Sequence, residues 1–196
     1  GNYSLTQPST TANITQKGLT VTGITADNKT YDSEVTANIN IGSAGLVGKI
    51  TNDNLTLNTA SAVGAFTSEH VGTGITVNIS GLSLDGDDNG NYSLTQPSTT
   101  ANITQKALSV TGITADNKTY DSEVTATLVY TGATLSGKIS GDDLDIVQSG
   151  TGAFAQEHVG SSLTVNITGL TISGTDNGNY NFTTTASTTA SITQKG

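Results

Sequence analysis

Apolar side chains recur at every second position along much of this chain. Leu19 and Val21 do so, then Val35, Ala37, Ile39 and Ile41, Leu55 and Leu57, Ile75, Val77 and Ile79, Leu82 and Leu84, and Ala101 and Ile103. The residues between them are mostly Thr, Ser and Asn. This alternation predicts strands with one face in a core and the other in water. Threonine suits the wet face, being both β-branched and polar. Clusters of Gly, Asn and Asp interrupt the strands at roughly the 8- to 12-residue spacing expected of a sandwich or barrel. No extended stretch has the 3, 4, 7 spacing of a helix, and the turn at Gly141–Leu144 is the one short helical piece expected.

The pattern also repeats on a longer scale. Gly18–Ala37 returns nearly unchanged as Ala107–Ala126, Gly64–Gly72 as Gly152–Gly160, and Ile75–Leu84 as Leu163–Ile172. The opening stretch Gly1–Lys17 recurs letter for letter at Gly90–Lys106, and more loosely at Gly178–Lys195. A period of about 90 residues exceeds the roughly 20 to 50 of stacked solenoid repeats and is long enough for a small core of its own. The expectation is an all-β chain of two tandem small β-domains, sandwich-like, with a grasp-like, mostly-β sheet as the alternative. They would form an extended array of beads on a string.

The frame follows from the turns. Asp85–Asn91 and Gly174–Asn179 carry turn chemistry between alternating runs and are expected to join them as hairpins or tight connections. Cutting the chain after Lys17 and after Lys106 leaves those connections whole. The domains are then 18–106 and 107–196, with 1–17 as the last strand of a preceding repeat. That stub is expected to pair with a neighbouring edge or to pack against the start of 18–106, and Pro97 and Pro8 mark an edge position or bulge in the strand. Between Ile103 and Leu108 there is neither Gly nor Pro, so one domain should run almost directly into the next.

Composition narrows the functional classes. Hydrophobic residues make up 33% of the chain, which permits only a lean core. A net charge of −9, with Lys as the only basic residue type, argues against a nucleic-acid partner. No apolar run is long enough to insert into a membrane as a helix. The absence of Cys removes disulfides and thiolate metal sites.

Three stretches carry a resemblance: TVTGITADNKTYDSEVTA, GAFTSEHVGTGITVNISGLSL with its partner GAFAQEHVGSSLTVNITGLTI, and DNGNYSLTQPSTTANITQK. In this order and spacing they resemble the YDG-type repeat, related to MBG repeats, which occurs in tandem in large bacterial surface proteins. Many of those are filamentous-haemagglutinin-like adhesins. The motif residues here are Tyr31 and Asp32, and Tyr120 and Asp121. Ser33 and Ser122 stand where the motif has Gly, which puts the local turn type in question. The resemblance implies display on the bacterial cell surface and tandem repetition, without a catalytic activity or a cofactor.

Candidate chemistry is sparse. His70 and His158, the only histidines, sit in SEHVG and QEHVG and read as polar loop or strand-end residues. Asp85, Asp87 and Asp88 offer oxygen ligands of the kind that hold Ca²⁺. The second copy has Gly174, Thr175 and Asp176 in that loop, so a turn is the favoured reading. Tyr31, Tyr120, Tyr92 and Tyr180 read as packed rings with hydrogen-bonded hydroxyls rather than sugar platforms. Lys29, Lys49 and Lys106 recur as Lys118, Lys138 and Lys195 and raise the question of isopeptide cross-links.

The expected function is therefore non-enzymatic: stalk or spacer repeats of an extracellular adhesin that hold a distal binding region away from the cell. Its partners would be neighbouring repeats of the same chain and, through the parent protein, a host or sibling-cell surface. The alternative is that the repeats themselves bind a host glycan or self-associate in biofilm contacts, with edge strands as the site.

Overall fold

A computed structural model describes residues 1–196. The first repeat contains β1 (Lys17–Thr22), β2 (Thr25–Ala26), β3 (Lys29–Thr30), β4 (Thr36–Ala37), β5 (Ile39–Asn40) and β6 (Gly45–Val47). It continues with β7 (Thr56–Asn58), β8 (Val63–Phe66), β9 (Gly72–Ser80), β10 (Ser83–Asp85), β11 (Tyr92–Leu94) and β12 (Ser98–Thr104). The second repeat runs through the same series: β13 (Lys106–Thr111), β14 (Thr114–Ala115), β15 (Lys118–Thr119), β16 (Thr125–Ala126), β17 (Leu128–Val129) and β18 (Thr134–Ser136). Its remaining strands are β19 (Asp145–Val147), β20 (Thr151–Phe154), β21 (Gly160–Thr168), β22 (Thr171–Ser173), β23 (Tyr180–Phe182) and β24 (Ala186–Thr193). The chain is all-β, in two tandem barrel-like domains. No helix is long and apolar enough to cross a membrane.

Each repeat has a five-stranded sheet, in the order β3-β12-β9-β8-β4 and β15-β24-β21-β20-β16. Each also has a three-stranded sheet, β11-β1-β6 and β18-β13-β23, and two small ladders. The alternation read from the sequence is visible in β21. Val165 and Ile167 point inward while Thr164, Asn166 and Thr168 are exposed. Burying a side chain of this size contributes about 1.5–3 kcal/mol. In the second repeat Val110, Ile113, Ile167 and Leu170 form one buried cluster, and Ala126, Phe154, Val165, Ala190 and Ile192 another.

By mutual proximity the chain divides into two compact units. One contains residues 1–27, 36–67 and 76–101; the other contains 28–35, 68–75 and 102–196. Residues 28–35 and 68–75 of the first repeat, and its end from residue 102, thus belong to the compact unit built around the second. Only Gln105 separates β12 from β13.

Several expectations are corrected. Asp85–Asn91 does not close a hairpin: β10 pairs antiparallel with β7, whereas β11 pairs parallel with β1. The equivalent turn likewise sends β22 to β19 and β23 to β13. Each turn holds a single 3-10 turn, at Asn89–Asn91 and Asn177–Asn179, which redirects the chain from one sheet to another. The helical piece lies there and not at Gly141–Leu144. Val35 is exposed and lies before β4, and the run read as one strand splits at Asn38 into β4 and β5, which join different sheets. Pro97 sits just before β12, which is an inner strand of its sheet, and its carbonyl accepts the Ile79 N–H at 3.1 Å. Residues 1–16 form no strand, although Gln16 Nε2 donates to the Gly90 carbonyl at 3.0 Å.

Candidate functional site

The motif turns are built alike in both repeats. Asp32 Oδ1 accepts the Glu34 N–H at 3.0 Å and lies 2.6 Å from Lys29 Nζ. Asp121 Oδ1 accepts the Glu123 N–H at 3.0 Å and lies 2.7 Å from Lys118 Nζ. Burial opposes the charge on Asp32, but the hydrogen bonds from Lys29 and the Glu34 N–H, together with the Lys29 charge, outweigh it and hold the carboxyl below its usual value. The bond from Lys118 lowers Asp121 in the same direction. Ser33 and Ser122 have φ of 61° and 66°, in the left-handed region. Serine therefore takes the conformation that glycine would adopt more readily.

In the compact unit of residues 28–35, 68–75 and 102–196, the first of these turns meets Asp142 and Tyr180. The Tyr31 and Tyr180 rings lie edge to face, with centroids 5.5 Å apart and planes at 75°. Tyr31 Oη and Ser33 Oγ are 2.8 Å apart, and Ser33 Oγ donates to Asp142 Oδ1 at 2.9 Å. Tyr180 Oη donates to the other oxygen, Oδ2, at 2.6 Å and accepts the Ile139 N–H at 2.9 Å. One carboxylate thus ties two tyrosine-bearing turns together.

The adjoining segment adds a second contact. The Val71 N–H donates to Asn179 Oδ1 at 3.1 Å, and Asn179 Nδ2 donates to His70 Nδ1 at 3.2 Å. An imidazole that accepts at Nδ1 carries its proton on Nε2. Asn179 is the one buried polar side chain, at 5% exposure, and its amide is satisfied on both ends.

The electrostatics follow from this packing. Burial, then the bond to Asp142, pushes Tyr180 up to about 12. Burial also raises Tyr31. Burial works against the charge on Asp142, but the hydrogen bonds from Tyr180 and Ser33 prevail and its carboxyl sits below the usual value. The arrangement favours neutral tyrosines around one ionised aspartate. It is a joint held by an aromatic contact and a shared carboxylate.

The remaining candidates are engaged elsewhere. Asp88 Oδ2 accepts the Asn54 N–H at 2.7 Å, Asp87 Oδ2 accepts Asn54 Nδ2 at 3.0 Å, and Asp85 Oδ2 accepts Asn58 Nδ2 at 2.8 Å. Asp87 and Asp88 share Asn54 while Asp85 holds Asn58, and no three His, Asp or Glu side chains converge as metal ligands. His158 is exposed. Lys49 and Lys138 cap the Leu55 and Leu144 carbonyls at 2.9 and 3.0 Å. From the sequence Asp142 and Asn179 read as turn residues, not as parts of a joint. The hint available was their recurrence as Asp53 and Asn91, close to Tyr residues that also recur.

Comparison with known proteins gives a family. A family model described as YDG domain matches residues 15–101 and again residues 104–190. No curated protein matches the chain. Among solved structures, the crystal structure of Drosophila N-cadherin EC1-3 is similar to 93% of this chain and 70% of its own, at 6% identity and a TM-score of 0.23. A likeness that slight carries no argument.

Proposed function

The chain belongs to the YDG domain family and carries two copies of that domain in tandem, and we propose that these repeats are structural spacers of a bacterial cell-surface adhesin. Their task is geometric: folded domains hold a distal binding region away from the cell. The observation that carries this reading is the joint at Tyr31, Ser33, Asp142 and Tyr180, an aromatic contact locked by a shared carboxylate. A spacer transmits position only where successive repeats are joined without slack. Gly/Ser linkers would supply slack; here Gln105 alone separates β12 from β13. A net charge of −9 on a Thr-, Ser- and Asn-rich chain disfavours nonspecific sticking.

The test is antibody labelling of the producing cells, before and after permeabilisation, paired with a glycan array probed by the isolated chain. Full labelling of intact cells with no specific glycan hit is the expected result. Label that appears only after permeabilisation overturns surface display. A specific glycan bound at micromolar affinity makes the repeats a binding module instead.

A further inference from the structure

We propose that the Tyr92 end of the first repeat is a docking site for the Tyr120–Ser122 turn of a second copy of this chain. The joint at Tyr31 and Tyr180 shows what such a turn does when it meets a Tyr–Asp pair. Both halves of that joint occur once more in the chain.

The donor half is Asn117–Glu123, identical in letters to Asn28–Glu34. It has the same left-handed serine, the same Asp-capped turn and the same Ser-to-Tyr hydrogen bond, Ser122 Oγ to Tyr120 Oη at 3.2 Å. Its surroundings differ. Tyr31 is 1% exposed, whereas Tyr120 is half-buried and Ser122 is exposed. Val159, which matches the half-buried Val71, is 46% exposed.

The acceptor half is Tyr92 with Asp53. Tyr92 Oη donates to Asp53 Oδ2 at 2.5 Å and accepts the Ile50 N–H at 3.1 Å, as Tyr180 does with Asp142 and Ile139. Beside this pair lies a cavity of about 320 Å³, lined by Lys17, Ile50, Asp53, Asn91 and Tyr92 among others. Asn91 is exposed where Asn179 is buried, and Ile50 is 53% exposed where Ile139 is half-buried. The docked turn would set the Tyr120 ring edge-on to Tyr92, donate Ser122 Oγ–H to the free oxygen of Asp53, and donate the Val159 N–H to Asn91 Oδ1.

Two features keep the association weak. Asp121 and Glu157 approach Asp53 and Asp88 with like charge, so added salt should strengthen binding. The incoming copy also brings Ile192–Lys195, the counterpart of Ile103–Lys106. In the first repeat that place is taken by Ile14–Lys17, held by Gln16 to the Gly90 carbonyl as Gln105 is held to the Gly178 carbonyl. Because donor and acceptor are different surfaces, association is heterologous and continues beyond the dimer.

Sedimentation of the full chain from about 10 µM to about 1 mM, the concentration range a short tether would replace, tests this. The mass should climb with concentration and with salt, and Gln16→Ala should increase it further. Ser122→Asp places a second carboxylate against Asp53, and Asn91→Glu removes the amide Nδ2 donor and sets a carboxylate against Asp121 and Glu157; both positions are exposed. Each variant alone should associate at least about tenfold more weakly. Their equimolar mixture should form a heterodimer and stop there, since only one intact donor and one intact acceptor remain. A chain that stays monomeric throughout overturns the proposal. So does Ser122→Asp associating like the parent, or a mixture no heavier than its components.

Discussion

The Tyr31 ring stands edge-on to the Tyr180 ring at 5.5 Å, and a single carboxylate, Asp142, bonds to the Ser33 hydroxyl on one side and the Tyr180 hydroxyl on the other. Tyr120, the counterpart of Tyr31, has a similar sequence neighbourhood and is only half-buried. The pair offers an internal control for the energy of the joint. Tyr31→Ala should cost about 3–4 kcal/mol, combining the large-to-small loss with the aromatic contact. Tyr120→Ala should cost about half as much. Urea unfolding of the two variants checks this, and equal losses would mean the joint adds nothing.

The serines in the left-handed region predict opposite outcomes for one substitution. Ser122→Gly relieves a strain of about 1 kcal/mol and loses a long hydrogen bond to Tyr120, so it should stabilise by about 0.5–1 kcal/mol. Ser33→Gly relieves the same strain but also removes the bond to the Asp142 carboxylate, worth about 1.5–3 kcal/mol. It should be destabilising. Thermal melts of both variants decide between these signs.

The joint should loosen at both ends of the pH scale. Tyr180 is raised to about 12 from an ordinary value of 10.0. Its contribution is therefore complete below pH 10 and declines as the pH rises towards 12, because the unfolded tyrosine ionises first. Asp142 is lowered from 3.8. Its contribution is present above that value and declines as the pH falls below it. Tyr180→Phe should flatten the alkaline loss of stability, measured by unfolding at a series of pH values, and remove the latest-titrating phenol from the absorbance titration.

Gly174 opens the turn that leads into Tyr180. It has φ 113°, and a Cβ there would lie 2.0 Å from the Asp143 carbonyl oxygen. Gly174→Ala should cost more than about 3 kcal/mol. Gly178, in the same turn, has nothing within 4 Å of its would-be Cβ, and Gly178→Ala should stay within about 0.5 kcal/mol of neutral. Chemical denaturation of the two variants gives the comparison.

The sequence by itself determined the all-β class, the tandem repeat and the inward side of the long strands. Those features are local or periodic: Val77, Ile79, Ala101 and Ile103 are buried as their alternation required. It also determined the family, since several motif blocks stand together in order. Only the tertiary structure decided which strands pair. The turn at Asp85–Asn91 looks like a hairpin in letters, yet it separates sheets, because β11 finds its hydrogen bonds beside β1, far back in the chain. The structure alone also decided the fate of the two motif turns. Tyr31 and Tyr120 sit in the same NKTYDSE run, and no local property distinguishes them. Burial does: Tyr31 meets Tyr180 across a separation that no pattern of neighbours encodes.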